Sequence, residues 1–387
     1  MPSVSLPGAD GRIRPYELRS RPVGRPASPP RFNRTAYAAA HVVSDPFREA
    51  DPSNRAVIDW DATLRFRHHL WGLGFKVAEA MDTAQRGMGV DWPTAKELIR
   101  RSLREARAAP GADLACGAGT DQLAPDAARS LDDVITAYEE QVGFIEGEGG
   151  RPILMASRAL ARIARGPDDY LRVYERILSQ TRGKVVLHWL GEAFDPQLAG
   201  YWGFSRVDEA IETVLGLIHA HRDRIEGIKM SLLDDAYEIA LRDLLPEGVA
   251  CFTGDDFNYA PLIEGDGEKH SHALLGIFDA IAPVASAALA ALARGDAAGY
   301  RERIEPTIPL SRKIFEAPTR LYKAGIVFLA WLNGHQAHFT MPGGMQSARG
   351  FLHYSDVFRL ADEANTLDDP ELAARRMKSF LAVYGAG

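Results

Sequence analysis

Cysteine is nearly missing from this chain. Cys116 and Cys251 are the two in 387 residues, each isolated within an apolar run, so neither a disulfide framework nor a paired-cysteine metal site is available. Long apolar runs are missing as well. The longest, residues 280–293 and 325–332, fall short of the roughly 20 residues that span a bilayer, and the first carries Pro283. The amino end holds prolines and arginines where a secretory signal would need an apolar core. A cytoplasmic, disulfide-free chain without a membrane partner is expected.

Blocks of like charge are also absent. The 45 basic and 52 acidic residues give a net charge of −7, and their dispersal leaves no footprint for nucleic acid. Neither a GxGxxG fingerprint nor a GxxxxGK phosphate loop follows the first strand candidate, which argues against a nucleotide-binding sheet. No cofactor and no metal are expected, and the expected partner is a small-molecule substrate.

What is present is ordinary globular material, 46% hydrophobic and 25% charged, with length enough for two or three domains or for one elaborated α/β barrel. Seven prolines fall in the first 30 residues, which marks residues 1–34 as an arm unsuited to a central sheet. Within it, residues 4–6 and 13–18 flank Gly8-Ala9-Asp10-Gly11 and read as a short hairpin. The arm reads as a lid or oligomer contact, or alternatively as a plug under the barrel or plain surface.

From Thr35 onward, runs of small and β-branched residues alternate with longer amphipathic segments, the pattern of βα units around a parallel sheet. Eight strands are expected at residues 36–43, 75–81, 114–117, 152–156, 185–189, 227–230, 249–253 and 273–277. That count suits a closed (β/α)8 TIM barrel over residues 35–292. Further helices at 282–292, 300–315, 318–332, 354–364 and 370–384, with a loop at 334–350, make residues 293–387 a C-terminal helical subdomain.

Reactive groups in such barrels come from the C-terminal ends of the strands. Lysine is scarce, with eight in the chain, and two of these fall in strands. Lys76 opens the second strand and should face the barrel bottom, whereas Lys229 closes the sixth. An ammonium in an apolar barrel mouth loses solvation, which lowers its pKa toward the range where a free amine attacks carbonyl carbon. The competing reading pairs Lys229 with a carboxylate inside the barrel.

The segments Ile225-Glu226-Gly227-Ile228-Lys229-Met230-Ser231 and Thr253-Gly254-Asp255-Asp256 resemble strands six and seven of the dihydrodipicolinate synthase and N-acetylneuraminate lyase superfamily. The resemblance runs over about residues 35–335, through Val185-Val186-Leu187-His188 and on to Lys323-Ala324-Gly325. It implies a class I, Schiff-base lyase or aldolase with Lys229 as the nucleophile, acting on a small oxo acid or a sugar-derived carbonyl compound, and a homo-oligomer, dimer or tetramer. It also marks departures. The family's strand-five tyrosine corresponds to His188, its threonine pair to Asp82-Thr83-Ala84-Gln85, and its carboxylate-gripping arginine to nothing in Glu192-Ala193-Phe194-Asp195. The chain resembles a divergent, uncharacterised bacterial branch, longer at both ends.

His188, with an imidazole suited to proton transfer near neutrality, is therefore expected to replace the tyrosine, against the reading of a structural buried histidine. Asp82, Thr83, Arg158, Ser231, Asp255 and Asp256 are expected to meet substrate, although Asp255 and Asp256 equally suit capping of the next turn. A metal-dependent lyase or isomerase using Glu79, Asp82, His188, Glu192, Asp256, His270 and His272 is the first alternative. A non-catalytic, small-molecule-binding barrel is the second.

Overall fold

Short strands separated by helices have one economical arrangement, in which each crossover returns the chain to lie parallel to the strand before it. The computed structural model describes residues 2–48, 56–82 and 85–386, and in it this arrangement closes on itself. A hairpin of β1 (Ser3–Pro7) and β2 (Ile13–Glu17) precedes the barrel. The barrel strands are β3 (Ala36–Ala39), β4 (Lys76–Glu79), β5 (Leu114–Ala118), β6 (Pro152–Leu154), β7 (Val185–Leu190), β8 (Ile225–Ser231), β9 (Ala250–Thr253) and β10 (His272–Leu275). All neighbours pair in parallel, and β10 pairs with β3. The fold is the (β/α)8 TIM barrel expected from the sequence.

Alternation along each strand sends one set of side chains into the lumen and the other under the helices. Tyr37, Ala39, Ala78, Ala115, Ile153, Val186, Phe252 and Leu274 pack together inside, separate from the large helix-facing core. The amino-terminal end is closed by charge. Asp113 holds Lys76 at 2.8 Å and Arg151 at 3.0 Å, and Arg151 reaches Glu226 at 3.2 Å and the Tyr37 hydroxyl at 2.8 Å. Lys76 thus faces the bottom, as its position implied.

The first barrel strand stops at Ala39 rather than Val43 because the next amides bond to side chains. His41 N–H donates to Asp279, Val42 N–H to Gln85 and Val43 N–H to Thr63. The helix expected at 300–315 is two, Ala297–Ile304 and Ile308–Ile314, divided at Pro306, whose ring cannot donate an amide hydrogen bond. The next helix begins at Lys323 and ends at Leu332, and a 3-10 segment, Pro342–Ala348, lies within the expected loop. Residues 326–330 and 332 are buried within the chain itself and Trp331 is half-buried, so most of this apolar run is covered by the chain's own packing. No helix among the described residues is long and apolar enough to cross a membrane.

The arm packs on the far end of the chain. Val4, Leu6 and Leu18 are buried, and β1 rests on helices Phe351–Glu363 and Pro370–Val383. Asp362 secures the contact by accepting from the Tyr16 hydroxyl and the amides of Arg19 and Ser20. Phe32 then reaches Phe75 at the amino-terminal rim, with ring centroids 5.6 Å apart.

One buried acid lies between the helix layer and the barrel wall. Glu238, on helix Asp235–Leu244, accepts from the Ser271 hydroxyl at 2.6 Å. Burial, opposed by the Ser271 hydrogen bond, pushes its pKa up to about 8. The folded value lies above the unfolded one, so this group's contribution to stability is present in acid and lost as pH rises through about 8. Urea unfolding at acidic and alkaline pH should show a loss of order 2 kcal/mol that Glu238→Gln removes. An equal loss in the variant would contradict this assignment.

Candidate active site

The lumen end of the site follows from strand register. Parallel pairing of β7 with β8 sets His188 beside Lys229 and Leu190 beside Ser231. With a period of two, Gly227, Lys229 and Ser231 share the inner face of β8. Phe252 fills the space over Gly227, where a Cβ would stand 2.7 Å from its ring. Gly254 packs beside the lysine stem, and a Cβ there would lie 2.7 Å from Lys229 Cε and 2.1 Å from Ser231 Oγ. The Gly in TGDD is therefore a spacing requirement.

Lys229 is 8% exposed, and its amine has no hydrogen bond or ion pair with the described residues. Burial lowers its pKa, opposed by the carboxylates of Asp82 and Asp256 and assisted by the charge of Lys323. The amine is thus held at a distance from its counter-charges.

His188 stands between two partners. Its Nε2 lies 3.1 Å from Ser231 Oγ and its Nδ1 lies 3.3 Å from Asp82 Oδ2, the second contact being too poorly aligned for a full hydrogen bond. Burial lowers the imidazole pKa against the pull of Asp82, which favours the neutral ring. Burial would raise Asp82, but His188, and beyond it Lys229 and Arg158, hold its carboxyl below the usual value. An ionised Asp82 favours the proton on Nδ1 and leaves Nε2 to accept from Ser231.

The remaining expected residues divide. Asp256 accepts from the Ile277 amide at 2.9 Å, and burial pushes its pKa up to about 7 against the charges of Lys229 and Lys323. Asp255 is taken up by its own turn, accepting from the amides of Phe257 and Asn258 and from the Asn258 side chain. Arg158 opens helix Arg158–Ile163, and its Nε donates to Asp195. Thr83 lies outside the described residues. Lys229, His188, Asp82, Ser231 and Asp256 are brought together, and Arg158 stands at the rim.

The groups weighed as metal ligands do not converge as one set: Asp82 and His188 meet at the lysine site, while others are engaged elsewhere. Glu79 is bound to Arg67 at 2.8 Å and to Ser102 at 2.6 Å, and His272 accepts the Thr35 amide at the start of β10. Among the described residues no group of three or more histidine, cysteine, aspartate or glutamate side chains is placed to hold an ion.

A second buried lysine was not singled out as chemical from the sequence. Lys323 donates to the Ala39 carbonyl and, at 3.1 Å, to Asp279, which also holds His41 at 3.0 Å. Its one sequence signal is the Lys-Ala-Gly run shared with the resembled family. Beyond Asp82, a cavity of about 540 Å³ opens at the carboxyl ends of β4 to β7, lined in part by Arg86, Trp92, Thr120 and Arg158.

The model of the family described as proteins of unknown function, DUF993, matches residues 4–386. No curated protein matches. Among solved structures, dihydrodipicolinate synthase from Thermotoga maritima is similar with a TM-score of 0.64 and 13% identity, covering 87% of this chain and 100% of its own. The enzyme from Aquifex aeolicus gives 0.64 and 11%, covering 86% and 99%. The 4-hydroxy-tetrahydrodipicolinate synthase from Methylacidiphilum fumariolicum SolV gives 0.63 and 15%, covering 89% and 99%. At such identities the likeness establishes a shared barrel fold.

The crowding at Gly254 gives a direct test. Gly254→Ala should cost about 1–3 kcal/mol of stability in urea unfolding, the range for overpacking. Adding Ser231→Gly should recover part of that loss by removing the oxygen 2.1 Å from the new methyl. No recovery would place the crowding elsewhere.

Proposed function

We propose that this chain, which belongs to the DUF993 family, is a Schiff-base-forming lyase or aldolase acting on a small oxo acid or a sugar-derived carbonyl compound. The observation that carries the reading is a buried lysine amine without a bonded partner among the described residues, beside a histidine linked to a serine and an aspartate. The barrel fold shared with dihydrodipicolinate synthases supports it. A lysine placed only for structure would be expected to hold its carboxylate, as Lys323 does.

In the proposed reaction the neutral amine of Lys229 adds its lone pair to the substrate carbonyl carbon. His188, through Ser231, accepts the proton released from nitrogen and returns it to the oxygen, giving the carbinolamine; a second proton, taken from solvent and given back when the product iminium is hydrolysed, lets that oxygen depart as water while the nitrogen lone pair forms the iminium. Asp82 stabilises the transient imidazolium. The resulting iminium accepts the electron pair of the bond broken one carbon away, giving an enamine, while His188 takes the proton of the hydroxyl that becomes a carbonyl. Proton return to the enamine carbon and addition of water then free the product and restore the amine.

Borohydride added with a panel of oxo acids and keto-deoxy sugar acids should leave a reduced adduct on Lys229, located by peptide mass spectrometry. Lys229→Ala should abolish trapping and turnover, and His188→Ala should slow turnover by about 100-fold to 10,000-fold while some trapping persists. Turnover that survives Lys229→Ala would sink the reading. The family resemblance also supports a homo-oligomer, a dimer or tetramer, and light scattering should exceed the 42.4 kDa of one chain. A mass at that value would mean a monomer.

A further inference from the structure

The cavity at the carboxyl ends of β4 to β7 is far larger than a three-carbon oxo acid and shares Asp82 with the Lys229 site. Among the described residues its charged lining is Asp82, Arg86, Asp91, Asp121, Arg158 and Asp195, four carboxylates against two guanidiniums. Each guanidinium already has its acid. Arg86 holds Asp121 through two nitrogens at 3.1 and 2.7 Å, spends a third on the Gly117 carbonyl, and lies 4.9 Å over the Trp92 ring. Arg158 is bound to Asp195 through Nε while 38% of its side chain stays exposed.

Anion recognition needs uncompensated donors, commonly free amides at a helix start or unpaired arginine. At both helix starts on this wall one amide is already taken by the capping side chain. The Asp91 carboxylate accepts from the Thr94 amide, and the Ser157 hydroxyl accepts from the Leu160 amide. A phosphate entering here would meet excess negative charge. A hydroxyl group donates and accepts at once, which suits a wall where an arginine N–H stands beside a carboxylate at two places.

We infer that this cavity is the subsite for the non-reacting part of the substrate, and that it takes a neutral polyhydroxylated chain in preference to a phosphorylated or dicarboxylic one. The inference rests on the Schiff-base reading for the position of the reacting carbonyl, but its test reads binding. The Arg158–Asp195 pair is the element that sets the preference, because removing the acid would leave a cation facing the cavity.

Calorimetric titration of Lys229→Ala, which cannot form the adduct, with keto-deoxygluconate, its terminal phosphate ester and pyruvate tests it. The sugar acid with the uncharged hydroxylated chain should bind at least about tenfold more tightly than either of the others. Asp195→Asn in the same background should improve binding of the phosphate ester about tenfold, and adding Arg158→Gln should cancel that gain. Equal or tighter binding of the ester before Asp195 is changed, or no binding of the neutral acid at millimolar concentration, overturns the inference. If this order holds while borohydride traps nothing in the unmutated protein, the Schiff-base reading falls and the subsite stands. If adducts form on Lys229 but the ester binds as well as the neutral acid, the reverse is true.

Discussion

An amine held in the lumen of a closed barrel without a bonded counter-ion is the condition to which the surrounding residues conform. Removing an ammonium from water costs several kcal/mol or more unless a carboxylate or hydrogen bonds replace the lost solvation. The two buried lysines of this chain meet that cost differently. Lys323 donates to a carbonyl and to Asp279. Lys229 feels Asp82 and Asp256 only across space, and burial lowers its pKa from that of a free lysine. Gly227 and Gly254 clear room for Phe252 and for the lysine stem.

The same burial shapes the neighbouring acids and imidazole. Asp82 stays ionised because His188, Lys229 and Arg158 together outweigh its own desolvation. Asp256, with an amide as its hydrogen-bond donor, is instead pushed up to about 7. Two carboxyls near one amine are thereby set apart, one held well below neutrality and one brought close to it, a separation that distinguishes a charge-holding group from one able to exchange a proton. His188, bracketed by Ser231 and Asp82, is the group whose two nitrogens touch both a hydroxyl and an ionised acid.

What was legible in the sequence was whatever a strand writes locally. The apolar runs announced all eight barrel strands, and Lys229 and His188 stood out as polar residues at inward positions near strand ends. The TGDD run located the turn after β9 but not the division of labour within it. Asp255 and Asp256 are adjacent and chemically identical, and only the fold shows that one accepts from Asn258 and the other from Ile277. Long-range pairings were not legible at all. His41, Asp279 and Lys323 meet across more than 230 residues of chain, and Arg86 finds Asp121 across a helix and a strand. The early end of β3 had the same origin, since its amides are claimed by side chains from three other segments.

The barrel also separates the work of folding from the work of recognition. At the amino-terminal end, Lys76, Asp113, Arg151, Glu226 and Tyr37 satisfy one another across three strands and the two residues that lead into β5 and β6. At the carboxyl end, arginine and aspartate again pair, but around an open cavity in which each pair keeps a face toward solvent. The lumen between them is apolar. A substrate taken up as proposed would pass these arginine–aspartate pairs and Asp82 before it reached the Lys229 amine, so recognition and activation would be arranged by depth along one axis.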